Sequence, residues 1–122
     1  KKFKDGKSGW NFTPMDEVKK NFDLNVNDKK NLILIKGKVE ETLVKKKNIP
    51  DSIAILKIDT VFYESYQVSF KRLANKVSTN GIIIIDNYLS YDGIKKATDE
   101  YIIENNFKIE INKFSRNATI YK

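Results

Sequence analysis

Four consecutive isoleucines, Ile82 to Ile85, run into Asp86. A short run that is apolar on both faces belongs inside a parallel sheet covered on both sides, because a sheet with one wet face alternates apolar and polar residues. Two further runs have the same character. Ile53 to Ile58 follows Pro50-Asp51 and ends at Asp59, and Asn31 to Lys36 is bounded by Asn31 and Gly37. These three segments are expected to be parallel members of one sheet, with 53–58 beside 82–86.

The stretches between the runs have helical periodicity. Tyr63, Tyr66, Phe70, Leu73, Ala74 and Val77 recur at three- and four-residue spacing, which predicts a helix over 63–77 with one face on the sheet. Ile94, Ala97 and Tyr101 predict another over 92–104, and a shorter helix is expected over 39–46. Ahead of the first run, Thr13-Pro14 predicts a helix start, with Thr13 as the cap, Pro14 at the first helical position and Asp16 and Glu17 in the first turn. Met15, Val18 and Phe22 form its apolar stripe. Residues 1–12, with Gly6 and Gly9, are expected to be loop, and Asn80-Gly81 a turn. Residues 107–111 and 118–121 make a terminal strand pair with no helix between them, so one antiparallel strand is expected near an edge. Alternation of helix and strand otherwise means right-handed crossovers and a doubly wound, mostly parallel α/β sheet. The chain of 122 residues is expected to be one domain, 1–122.

In an open parallel sheet, ligands bind beyond the carboxyl ends of the strands. Asp59 and Asp86 both stand there, so their carboxylates are expected to face one crevice. For either acid alone, a role in capping a nearby helix is about as good an account; for the pair, a shared site is the better one. Without a cation between them, two carboxylates facing each other also predict that at least one resists ionisation. Tyr88, just past the second acid, is expected to line the crevice, whereas Tyr63 and Tyr66 fall on the apolar helix stripe and are expected in the core.

Composition narrows the chemistry. The chain has no Cys and no His, which removes disulfides, thiolate metal sites, the commonest general base and the commonest transition-metal ligand. Acid–base or metal chemistry is left to carboxylates, Lys, Tyr and Asn, a donor set that favours a hard cation. No stretch approaches the roughly 18 apolar residues of a membrane span, and no secretory leader pattern is visible, which fits a cytoplasmic protein. The net charge of +7 comes from lysines interleaved with acids along the chain, a solvated surface rather than a nucleic-acid site.

The order and spacing of the motifs resemble the macrocin O-methyltransferase (TylF-like) family of class I S-adenosylmethionine-dependent methyltransferases. The resemblance is carried by Ile53 to Ser65 (IAILKIDTVFYES), Asn80-Gly81, Ile82 to Tyr88 (IIIIDNY), the helix start Thr13-Pro14-Met15-Asp16-Glu17-Val18, the turn from Gly37 through Glu41-Thr42-Leu43, and Gly93 to Tyr101 (GIKKATDEY). It covers residues 13 to 104 in one continuous order.

The resemblance implies a Rossmann-like methyltransferase whose first strand or two, with the glycine-rich cofactor turn, would precede residue 1. It implies methyl transfer from S-adenosylmethionine to a hydroxyl of a sugar or small molecule, with Mg²⁺ held by Asp59, Asp86 and Asn87 and with Asp59 as a candidate base. It also implies a cofactor contact at Gly37, Lys38 and Val39, where an ordinary strand-to-helix turn is an equally good account. The chain departs from the pattern at Val61 and Asn87, where the family often has acids. A gap left by absent strands would favour a homo-oligomer. A non-catalytic remnant or interaction module that keeps the fold is the alternative, and a basic nucleic-acid-binding domain a weaker one.

Overall fold

The computed structural model describes residues 13–28 and 30–122; the loop expected over residues 1–12 lies outside them. The chain divides into two compact units, Lys1–Lys36 and Gly37–Lys122. In the first, helix α1 spans Met15–Asn25. Pro14 occupies the cap position with extended backbone, and its carbonyl accepts from the amides of Glu17 and Val18. The helix therefore starts one residue later than the Thr-Pro pattern predicts. Met15, Val18 and Phe22 are half-buried along one side.

Residues 32–36 depart from expectation. They are extended in sequence pattern, with exposure alternating along them, but they form no strand. A strand exists only where a neighbour pairs its amides and carbonyls, and among the described residues this segment has no ladder partner. Ile33 is left 82 % exposed.

The second unit carries the sheet. A single helical turn, α2 (Val39–Thr42), and a 3₁₀ turn at Lys46–Asn48 replace the longer helix expected there. Strand β1 (Ile53–Ile58), helix α3 (Tyr63–Leu73), strand β2 (Val77–Ile85), helix α4 (Asp92–Asn105), strand β3 (Ile109–Asn112) and strand β4 (Asn117–Tyr121) follow. The strand order is β1-β2-β4-β3. β1 and β2 are parallel, as the apolar runs predict, while β2–β4 and β4–β3 are antiparallel. The described sheet is thus mixed rather than mostly parallel: with 32–36 outside it, the terminal hairpin supplies half of its strands.

Asn80-Gly81 does not separate helix from strand. β2 begins at Val77, and the register jumps from Ile53–Val77 to Ile55–Ile82, so residues 78–81 bulge within the strand. Asn80 has φ 67°, and a Cβ on Gly81 would stand 2.9 Å from the Ala54 carbonyl oxygen. Glycine permits the neighbouring backbone to come this close.

Leu56 and Ile58, Ile83 and Ile85, Ala118 and Ile120 form the buried face, against Tyr66 and Phe70 of α3 and Ile94 and Ala97 of α4. The rings of Phe70 and Tyr101 stack at 4.3 Å and join the two helices. The opposite face is drier in sequence than in structure. Ile82 and Ile84 are half-buried and Ile55 is 63 % exposed. Among the described residues no helix is long and apolar enough to cross a membrane.

Candidate functional site

Parallel pairing of Ile58 with Ile85 brings the next residues, Asp59 and Asp86, side by side where the strands end. The amide of Asp86 donates to the Ile58 carbonyl at 3.0 Å, extending the ladder by one bond. Asp59 is 54 % exposed and Asp86 19 %, so the first acid is open to solvent and the second largely covered.

A third charge completes the group. Side chains alternate along a strand, so Lys57 shares a face with Asp59, and it pairs with Ile84, two residues before Asp86. Its Nζ lies 2.8 Å from Asp59 Oδ2 and 2.9 Å from Asp86 Oδ2. The expected conflict between two bare carboxylates is therefore resolved within the chain. The hydrogen bond from Lys57 holds Asp86 below the ordinary carboxylate range, opposed by burial and helped by the Asn87 amide. Bonds to Asp59 first, and then Asp86, raise the ammonium of Lys57.

The acids are also tied from below. The hydroxyl of Tyr66 lies 2.9 Å from the carbonyl oxygens of both Ile58 and Asp86, and its single proton bonds one of them at a time. Burial above all, then the charges of Asp59 and Asp86, push its pKa up, so it remains a donor. Tyr66 thus belongs to the core, as its helical position predicts, and in addition clamps the two strand ends. Tyr66→Phe takes this donor from the Asp86 carbonyl, while the Ile58 carbonyl keeps the Asp86 amide, and urea unfolding should show a loss of roughly 0.5–1.5 kcal/mol; an unchanged midpoint would mean the clamp carries no load.

Asn87 sits at φ 56° in the turn after β2. Its amide nitrogen donates to Asp86 Oδ1 at 2.9 Å and Asn117 Oδ1 at 3.0 Å, while its side-chain oxygen has a weak contact with the Ser90 hydroxyl at 3.5 Å. The tip of the β3–β4 hairpin steadies this turn, since Leu89 and Arg116 exchange hydrogen bonds. Tyr88 departs from expectation. It is buried, and its hydroxyl donates to Asp99 Oδ1 on α4 at 2.6 Å. Thr60, next to Asp59, has a buried hydroxyl without a hydrogen-bond partner.

At Gly37-Lys38-Val39 the backbone explains the residues. Gly37 has φ 135°, and a Cβ there would meet Thr42 Cγ2 at 2.8 Å. The carbonyl of Lys38 is committed to the amides of Glu41 and Thr42 and to the Thr42 hydroxyl, which start α2. Glu40 accepts from Ser65 and so joins α2 to α3. A separate groove of about 510 Å³ lies between α3 and α4, lined by residues including Gln67, Ala97 and Tyr101, and neither acid lines it.

Lys57, Tyr66, Arg116 and Asn117 are the site residues that sequence reasoning missed. Lys57 alone carried a signal: it is the one charged residue within the 53–58 run, two places before Asp59.

The lowered pKa of Asp86 has a consequence for stability. Its carboxylate is stabilised in the folded state, so this contribution is present above the ordinary carboxylate pKa of about 4 and is lost as pH falls through the lower folded value. Urea midpoints should fall with pH in that acid window, and the Asp86→Asn profile should be flatter there; parallel profiles would count against the pairing. Lys57 stays charged throughout this window and adds no slope of its own.

The chain superposes on the structure of the O-methyltransferase NovP with a TM-score of 0.79 and 26 % identity, over 90 % of this chain and 45 % of that one. It is 39 % identical over 51 residues to demethyldecarbamoylnovobiocin O-methyltransferase of Streptomyces niveus, which is 42 % of this chain and 20 % of that relative. The chain therefore spans less than half the length of either. The model of the macrocin O-methyltransferase (TylF) family matches residues 6–122, and the chain belongs to that family.

Proposed function

We propose that the crevice at Asp59 and Asp86 serves S-adenosylmethionine-dependent methyl transfer to the hydroxyl of a sugar or other small molecule. The observation that carries this reading is the pair of acids on adjacent parallel strands in a chain of an O-methyltransferase family. When bound, S-adenosylmethionine would supply an electrophilic methyl carbon for the acceptor oxygen, the electron pair of the carbon–sulfur bond being left on sulfur. Asp59, the more exposed acid, takes the proton from the acceptor hydroxyl and later releases it to solvent. Lys57 and Asp86 hold Asp59 in place, and orientation of the hydroxyl makes the displacement effectively unimolecular. Gly37, Lys38 and Val39 would bound the flat end of the cofactor through backbone, since the Lys38 side chain is exposed and Val39 half-buried.

The Mg²⁺ implied by the resemblance fits this donor set poorly. Among the described residues no three Asp, Glu, His or Cys side chains converge on a point. Val61 offers no donor, Asn87 faces Ser90, and an ammonium stands between the two outward carboxylate oxygens.

Assembly into a homo-oligomer belongs to the same reading and is supported by β1, an edge strand with Ile55 exposed. Unfolding midpoints should rise with protein concentration; midpoints independent of concentration would argue for a monomer.

Calorimetric titration with S-adenosylhomocysteine, using the protein as its gene encodes it, tests the enzymatic reading. Saturable binding at one site per chain is expected. No binding would favour the alternative, a non-catalytic module that keeps the fold, for which Val61 and Asn87 speak.

A further inference from the structure

We infer that the resident cation of this site is the ammonium of Lys57, and that the crevice organises its two acids without a divalent metal. The inference rests on the methyl-transfer reading only in placing the acceptor at this crevice. Lys57 Nζ is 2.8 Å from Asp59 Oδ2 and 2.9 Å from Asp86 Oδ2, so it stands at the point on which the two carboxylates converge. The other oxygen of Asp86 is occupied by the Asn87 amide.

Strand geometry makes this placement built in rather than incidental. Lys57 is held on β1 two residues before Asp59, and its partner Ile84 stands two residues before Asp86. Its aliphatic stem runs along the same face toward both acids, so the ammonium reaches them without leaving the sheet. Two carboxylates and one ammonium leave a single net negative charge. A dication entering the same point would have to expel the ammonium, which its tether keeps nearby, and would then face a like charge at close range. A third and fourth acid would outweigh that repulsion, but positions 61 and 87 are Val and Asn. Mg²⁺ also needs near-octahedral oxygen ligation and gives up its water reluctantly. Lys57 is accordingly a positioning residue, which bridges the two acids and aims Asp59 at the acceptor oxygen.

The test is thermal unfolding of the protein in EDTA and in millimolar Mg²⁺ or Mn²⁺, a readout independent of turnover. Wild type and Lys57→Arg, which keeps the charge, should show no metal-dependent change in Tm. Lys57→Met, which removes the charge and keeps the stem, should gain a metal-dependent rise of several degrees, the order expected for one site at tenfold its Kd. That rise should vanish when Asp86→Asn is added. A metal-dependent rise in wild type that Asp59→Asn or Asp86→Asn abolishes would overturn the inference. So would Lys57→Met failing to respond to metal, because the point between the acids would then not be a cation site. Failure of methyl transfer in every condition would count against the enzymatic reading and leave the metal result decisive by itself.

Discussion

Asp59→Asn is expected to lower methyl transfer by roughly 10²- to 10⁴-fold, the usual contribution of a positioned general base. The substitution keeps the shape of the side chain and an oxygen for Lys57 but cannot take the acceptor proton. Asp59 is 54 % exposed and is proposed as the proton acceptor rather than as a cofactor contact, so the loss should fall on kcat, with binding of S-adenosylhomocysteine unchanged. Rates are to be compared under saturating cofactor and acceptor. A variant that retains wild-type kcat would remove Asp59 from the chemistry and leave it as the end of a strand.

The largest effect on stability is expected at Ile83. In the register of the sheet, Leu56, Ile83 and Ile120 lie in one row across β1, β2 and β4, and all three are buried under α3 and α4, with Ile83 at 0 % exposure. Ile83→Ala should cost about 2–5 kcal/mol, from lost burial and the cavity left behind, a large part of the roughly 5–15 kcal/mol that holds a domain of ordinary stability together. Ile84→Ala, one residue along and on the half-buried face, should cost clearly less. Urea denaturation of the two variants decides the matter, and equal losses would contradict a core confined to one face of the sheet.

The contrast between those neighbouring isoleucines also marks how far the amino-acid sequence could be read. The two acid-ended runs are strands, they are parallel and adjacent, and their acids meet; each follows from local pattern and from the rule that alternating helices and strands form parallel pairs. The helices α3 and α4 appear where apolar spacing places them, with ends shifted by 3₁₀ turns or a left-handed Asn106. What pattern could not supply was partnership. Residues 32–36 have the composition of a strand but form none among the described residues, and the central place of β4 depends on its long-range pairing with β2, from Ile85–Ala118 to Ile82–Tyr121, rather than on its own side chains.

The same distinction holds at the site. Position in the strand made Asp59 and Asp86 visible, because any residue following the last apolar one lies at the sheet edge. The charge state of the pair depends on Lys57, whose reach to both acids is a matter of register. Tyr88 differs for the opposite reason: proximity in sequence to Asp86 points to the crevice, but the turn at Asn87 carries the ring inward to Asp99. Departures at Val61 and Asn87 were legible as lost acids, whereas the ammonium filling the space between the remaining two was not.

The central claim, that this crevice transfers a methyl group to oxygen, is tested most directly by following the methyl carbon itself. The protein is incubated with S-adenosylmethionine carrying a ¹³C methyl and a panel of sugars and phenols, and the products are examined by NMR. The account predicts a labelled methyl ether formed from at least one hydroxyl acceptor, together with S-adenosylhomocysteine, and no such product with Asp59→Asn on the same timescale. Binding of the cofactor without a labelled ether from any acceptor, or a labelled methyl found on nitrogen or carbon instead, would contradict it.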